Sequence, residues 1–148
     1  MRRHADPRRQ SLADLQAFYQ RVDAAQPGFS CPRRGRCCQL RETGREPYLW
    51  KLEWELLQQA IAERGGRQPA EREDGGCRFL AADGRSCSVY DKRPFGCRTY
   101  GCELASGTGR KERERLRVLT RELTALAETF DPIDDGPRPL SRFFEGVA

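Results

Sequence analysis

The sequence predicts a small, single α+β domain, with about three helices and a short β-hairpin gathered around a cysteine-rich core of loops. Three observations carry this prediction. All seven cysteines fall between Cys31 and Cys102, in segments rich in Gly, Pro and Arg where a chain turns. Three longer stretches repeat apolar residues at helical spacing and contain no cysteine. Asp83-Gly84 separates two short strand-like runs, which is a hairpin signal.

Residues 1–10 read as a disordered basic lead. Ser11 then opens a helix, with Asp14 at the capping-box offset and Leu12, Leu15, Tyr19 and Val22 on one face. Gln26-Pro27-Gly28 stops it, and the first cysteine segment follows as a loop around Pro32 and Gly35. A second helix is expected from about Pro47 to Arg64, since proline suits a first turn and Gly65-Gly66 is a strong stop. Leu49, Leu52, Leu56, Ala60 and Ile61 form its apolar stripe, and Trp50 and Trp54 on the adjoining face are expected to pack against another helix. A polar linker over 65–76 leads to the densest cysteine segment, 77–102. A third helix is expected over 108–130, where Leu116, Leu119, Leu123, Leu126 and Phe130 make a seam for a neighbouring helix or for a protein partner, including a second copy. The domain is therefore placed at residues 11–132, with 133–148 as a tail that docks or stays disordered.

Cys31, Cys37, Cys38, Cys77, Cys87, Cys97 and Cys102 read as metal ligands. A disulfide framework calls for a secreted context and usually an even count. The charged start, Met-Arg-Arg-His-Ala-Asp-Pro-Arg-Arg-Gln, has no apolar run behind it and is no secretory signal. No window has enough consecutive apolar residues to span a bilayer. The expectation is a cytoplasmic protein without a membrane partner, in which thiols stay reduced and clustered cysteines bind metal. His4, the only histidine, lies in the basic lead and is not expected to contribute. Any site is then sulfur-rich, for zinc or an iron–sulfur cluster.

Composition agrees with this. At 37% hydrophobic and 33% charged, the chain is lean but not in the disordered range. A small core is helped by a metal, whose binding free energy becomes folding free energy. The net charge of +5 comes from a basic set in which only Lys51, Lys92 and Lys111 are lysines. The arginines interleaved with the cysteines, Arg93 and Arg98 among them, either donate hydrogen bonds towards sulfur and offset thiolate charge, or form a solvated basic face that pairs with Glu and Asp. A nucleic-acid role is disfavoured, because aromatic residues for a stacking platform are sparse there.

The hairpin offers a geometric test. A two-residue Asp83-Gly84 loop sets Leu80 opposite Cys87 and turns Cys77 and Cys87 to opposite faces. A three-residue Ala82-Asp83-Gly84 loop sets Phe79 opposite Cys87 and brings both thiols to one face, with Cβ atoms about 7 Å apart. The second register is favoured. Its spacing suits a multi-iron cluster better than one zinc.

The run Cys77-Arg-Phe-Leu, then Cys87-Ser-Val-Tyr-Asp-Lys-Arg93-Pro94-Phe-Gly-Cys97-Arg98, resembles the YkgJ-type cysteine-cluster family, also called the CxxCxxCC or zinc/iron-chelating domain. The likeness spans residues 29–102. The family's first knot is Cys-x2-Cys-x2-Cys-Cys, whereas here Arg34 stands at its second cysteine and cannot ligate. This leaves Cys102 as a substitute ligand or reduces the number of sites. The resemblance implies a bound metal centre, zinc or iron–sulfur. Because a similar cluster domain occurs in flagellin lysine methylases, it also raises an enzyme, redox or methyl-transferring, in which the cluster supports a separate active site. Glu53, Glu55 and Asp91 read as ordinary residues of a solvated face, so no acid–base pair supports the enzyme. A zinc-ribbon-like interaction module ranks last, because the paired Cys-x2-Cys knuckles are missing.

Overall fold

Asp6 starts the first helix. Its carboxylate accepts the Arg8 amide at 3.1 Å and its carbonyl accepts the Gln10 amide at 3.0 Å. Pro7 follows at the first helical position, where a missing N–H costs nothing. Helix α1 therefore spans Pro7–Ala24, and residues 7–10, expected in a disordered lead, are its first turn. The structure, a computed structural model, describes residues 6–24, 38–99 and 110–145. Within them lie α2 (Leu40–Thr43), β1 (Tyr48–Leu49), α3 (Lys51–Glu63), a 3-10 turn (Tyr90–Lys92), α4 (Phe95–Arg98), α5 (Arg110–Phe130), β2 (Arg138–Pro139) and α6 (Leu140–Phe144).

Three long helices form one half of the core. Leu15, Phe18, Tyr19 and Val22 of α1 meet Leu52 and Leu56 of α3 and Leu119 and Leu123 of α5. Leu119 and Leu123 of the α5 seam are thus buried within the chain, with α1 as the main neighbour. Burying each such side chain contributes about 1.5–3 kcal/mol.

Helix α3 works on both faces. Leu57, Ala60 and Ile61 turn away from the bundle towards Cys38, Cys77, Phe79, Leu80 and Val89. It begins at Lys51 instead of near Pro47, because Tyr48 and Leu49 are drawn into an antiparallel pairing with Pro139 and Arg138. It ends where Gly66, at φ +79°, returns its amide to the Ile61 carbonyl at 2.9 Å, a closure that favours glycine.

One expectation changes here, and one open alternative is decided. The two-stranded ribbon joins 48–49 to 138–139, far apart in sequence, and the predicted hairpin is reduced to a single bridge between Leu80 and Cys87. Of the two alternatives for residues 133–148, docking is the one seen up to residue 145: Leu140 and Phe144 are buried, and the Leu140 amide donates to the Pro47 carbonyl at 2.9 Å. Helix α6 also answers Trp54, whose ring stacks on Phe143 at 5.2 Å and meets Phe144 edge-on at 5.1 Å. Among the described residues no helix is long and apolar enough to cross a membrane.

Candidate metal centre

Four of the seven cysteines, Cys38, Cys77, Cys87 and Cys97, lie in the described residues; Cys31, Cys37 and Cys102 lie outside them, as does Arg34. Each of the four is placed by a local device. The Cys77 amide donates to the Cys38 carbonyl at 2.7 Å, joining the segment before α2 to the second cysteine segment. Cys77 opens a turn closed by the Leu80 amide on its carbonyl at 2.9 Å. Arg72 fixes that turn from outside, donating to the carbonyls of Leu80 and Ala81 at 3.0 Å each while gripping Asp74 at 2.9 Å.

Cys87 is set by the bridge to Leu80, with the Ala81 amide on the Ser86 carbonyl and the Ser88 amide on the Phe79 carbonyl, both at 2.7 Å. The favoured register, Phe79 opposite Cys87, is therefore replaced by Leu80 opposite Cys87. Gly84 is left-handed at φ +72°, as a tight loop needs, but the loop is held by Asp83. Its carboxylate accepts the amides of Arg85 and Ser86 at 2.8 and 2.9 Å and the Ser86 hydroxyl at 2.8 Å, which holds its pKa down at about 2. This register was expected to separate the thiols. It does not, because Cys77 sits in a turn, where strand alternation no longer governs the side chain.

Cys97 rides on α4, whose first turn begins as its amide meets the Pro94 carbonyl at 3.0 Å. All four cysteines then line one cavity of about 110 Å³. Leu57, Phe79, Val89 and Leu140 form apolar wall, and Arg85, Ser86 and Arg93 bring polar atoms to it. Cys38 and Cys77 are buried, while Cys87 and Cys97 are half-buried. Among the described residues no three His, Cys, Asp or Glu side chains gather tightly enough to hold a single ion. A zinc ion held at about 2.3 Å would draw four sulfurs to within about 4 Å of each other. The donor set, four thiols in an otherwise apolar hollow, fits a thiophilic centre.

The two arginines expected beside the thiolates differ in placement. Arg93 is on the cavity wall, its guanidinium 3.9 Å from the Tyr90 ring and its Nε donating to the Tyr90 carbonyl at 2.9 Å. Arg98 is buried outside that wall. It donates to the carbonyls of Arg93 and Asp91 and to Asp23 of α1 at 2.8 Å, and lies 4.1 Å over the Tyr19 ring.

Near Arg98 lies Glu53, which was expected on a solvated face and is instead buried. Glu53 is 1% exposed; its Oε1 accepts the Tyr19 hydroxyl and the Phe95 amide, each at 2.8 Å, and its Oε2 accepts the Trp50 amide at 3.0 Å. Burial pushes its pKa up, against the two amides and the hydroxyl that favour the charged form. Burial, then the Glu53 charge, pushes Tyr19 well above the usual phenol range. The signal was present: Glu53 stands four residues after Leu49 and three before Leu56, inside the apolar stripe. Behind Cys97 and Pro47 a second cavity, of about 360 Å³, is lined by Trp50, Glu53, Phe95 and Leu123.

A family model described as CxxCxxCC, a putative zinc- or iron-chelating domain, matches residues 30–119. No curated protein and no solved structure matches the chain.

Proposed function

The chain therefore belongs to the CxxCxxCC family, and on that premise we propose that Cys38, Cys77, Cys87 and Cys97 hold one metal centre, an iron–sulfur cluster in preference to a single zinc ion. The observation that carries this reading is the convergence of four cysteines, one from the first cysteine segment and three from the second, on one cavity of about 110 Å³. A hollow of that size between thiols suits a multi-atom cluster better than one ion. Bound there, such a centre would supply electron-transfer capacity or a structural cross-link.

The chain's own residues have distinct parts in this reading. The cysteines serve as thiolates. Leu57, Phe79, Val89 and Leu140 keep water from the sulfurs, and Arg85 and Arg93 offset their negative charge. Cys31, Cys37 and Cys102 stand as further ligands, and this reading calls for reduced thiols, which a cytoplasmic location would supply.

A second reading, an enzyme in which the centre supports a separate active site, has one observation in its favour. The cavity of about 360 Å³ shares Cys97 and Pro47 with the cysteine cavity, so a molecule in it would lie against a ligand. The test of the first reading is metal and acid-labile sulfide content, with a visible spectrum, on protein purified without air. Iron with matching sulfide supports the cluster. Stoichiometric zinc without sulfide replaces it with a structural zinc site, and no metal overturns both.

A further inference from the structure

The cysteine-bearing helix α4 is only four residues long, Phe95–Arg98. A helix of that length has almost no cohesion of its own, and its first amides lack partners within it. Something outside must hold it. Glu53 accepts the Phe95 amide at 2.8 Å, at the helix start, and is itself held by the Tyr19 hydroxyl from α1 and the Trp50 amide at the head of α3. At the other end, Arg98 is tied to the carbonyls of Asp91 and Arg93 and to Asp23. Cys97 lies between these two anchors.

We infer that Glu53 is a positioning residue for Cys97: its buried carboxylate fixes the start of α4 and so sets where the Cys97 thiol enters the cavity. This rests on the reading of the cavity as a metal centre. Placing a carboxylate in the core for packing alone would be wasteful, since burying a charge is costly unless hydrogen bonds offset it. Here one of those bonds comes from the first residue of the ligand-bearing helix, and the other two, from Tyr19 and Trp50, hold the carboxylate that receives it. Tyr19 donates to the same oxygen from α1 and does not belong to the ligand-bearing helix, so its hydroxyl matters less for Cys97 than the bond to Phe95.

The test is cobalt(II) titration of the full chain, freed of metal and reduced, followed by thiolate-to-cobalt absorption, with amide exchange measured across Phe95–Thr99. Glu53→Gln places an amide NH₂ where Trp50 or Phe95 needs an acceptor. It is expected to weaken cobalt binding about 10- to 100-fold and to raise exchange at 95–99 above that of the wild type. Tyr19→Phe is expected to change affinity less than threefold. In a Cys97→Ser background, Glu53→Gln should add no further loss. Full cobalt affinity in Glu53→Gln, or the same loss with and without Cys97, overturns the inference. Should the glutamine variant not fold, Glu53→Asp, which retracts the oxygens by one methylene, carries the same expectation. A wild type that takes up no cobalt sinks the reading of the cavity, and exchange at 95–99 then decides the positional claim alone: raised in Glu53→Gln it stands, unchanged it falls.

Discussion

The amide of Cys77 donates to the carbonyl of Cys38 at 2.7 Å, so two cysteines distant in sequence are joined through backbone. Their spacing is set by this backbone bond. A site built in this way loses less conformational entropy on binding than one assembled by the ligand.

Replacing Cys87 by Ser should release the metal and lower the melting temperature of the purified protein by about 10 °C, given the usual few degrees per kcal/mol. After chelation, wild type and variant should melt within a few degrees of each other. Full metal content and an unchanged melting temperature in Cys87→Ser would show that the four-cysteine assignment is wrong. Metal analysis and calorimetry on the same samples decide it.

Phe144→Ala should cost about 3–4 kcal/mol in urea unfolding, because it empties a buried aromatic site. Phe144 meets Trp54 at 5.1 Å, Phe79 at 5.8 Å and the Arg78 guanidinium at 4.5 Å. A double-mutant cycle with Trp54→Ala should show coupling of about 1 kcal/mol. A loss below 1 kcal/mol would mean that α6 does not dock in solution.

Arg98→Lys should destabilise by about 2–3 kcal/mol, since a lysine cannot reproduce three directed bonds from one planar fork. Asp23→Asn should cost under 1 kcal/mol, because the Asp23 side chain is half exposed and its charge is screened. A larger loss from Asp23→Asn than from Arg98→Lys, which keeps the positive charge, would place the value of Arg98 in the ion pair. Urea unfolding of both variants separates the cases.

Acid should open the loop that carries Arg85 and Ser86. Asp83 titrates at about 2 in the folded chain, below the ordinary carboxylate value of about 3.9. Its contribution is therefore complete above that ordinary value and is lost as the pH falls from about 4 through about 2. Amide exchange at Arg85 and Ser86, corrected for intrinsic rate, should rise across that window. In Asp83→Ala, which removes the oxygen that both amides bond, it should be high at all pH values. A flat profile in the wild type would refute the clamp.

The three long helices were legible because each carries a long apolar period that only a helix can bury on one side. Helix α1 began earlier than read, since Asp6-Pro7 is a better start than Ser11 and lay inside a segment that basic composition had marked as a lead. The ribbon between 48–49 and 138–139 left no trace, because two-residue strands have no period and their partners are remote. Within the site, the convergence of Cys77 and Cys87 was expected on the wrong register. Alternation was applied to Cys77, whose turn begins three residues before the bridge at Leu80. Glu53 was missed because charge was weighed above position. Its place in the stripe said core, and the chain resolves the conflict with three hydrogen bonds.

The pairing of Pro47 with Leu140 carries a consequence for the order of assembly. Leu140 is one wall of the cysteine cavity and is fixed there by its amide on the Pro47 carbonyl. During synthesis it leaves the ribosome after all four cysteines. A nascent chain thus passes through an interval in which the thiols are made but the trough around them is unroofed. Delivery of metal in that interval meets an open vessel, and delivery afterwards meets one already lidded by α6.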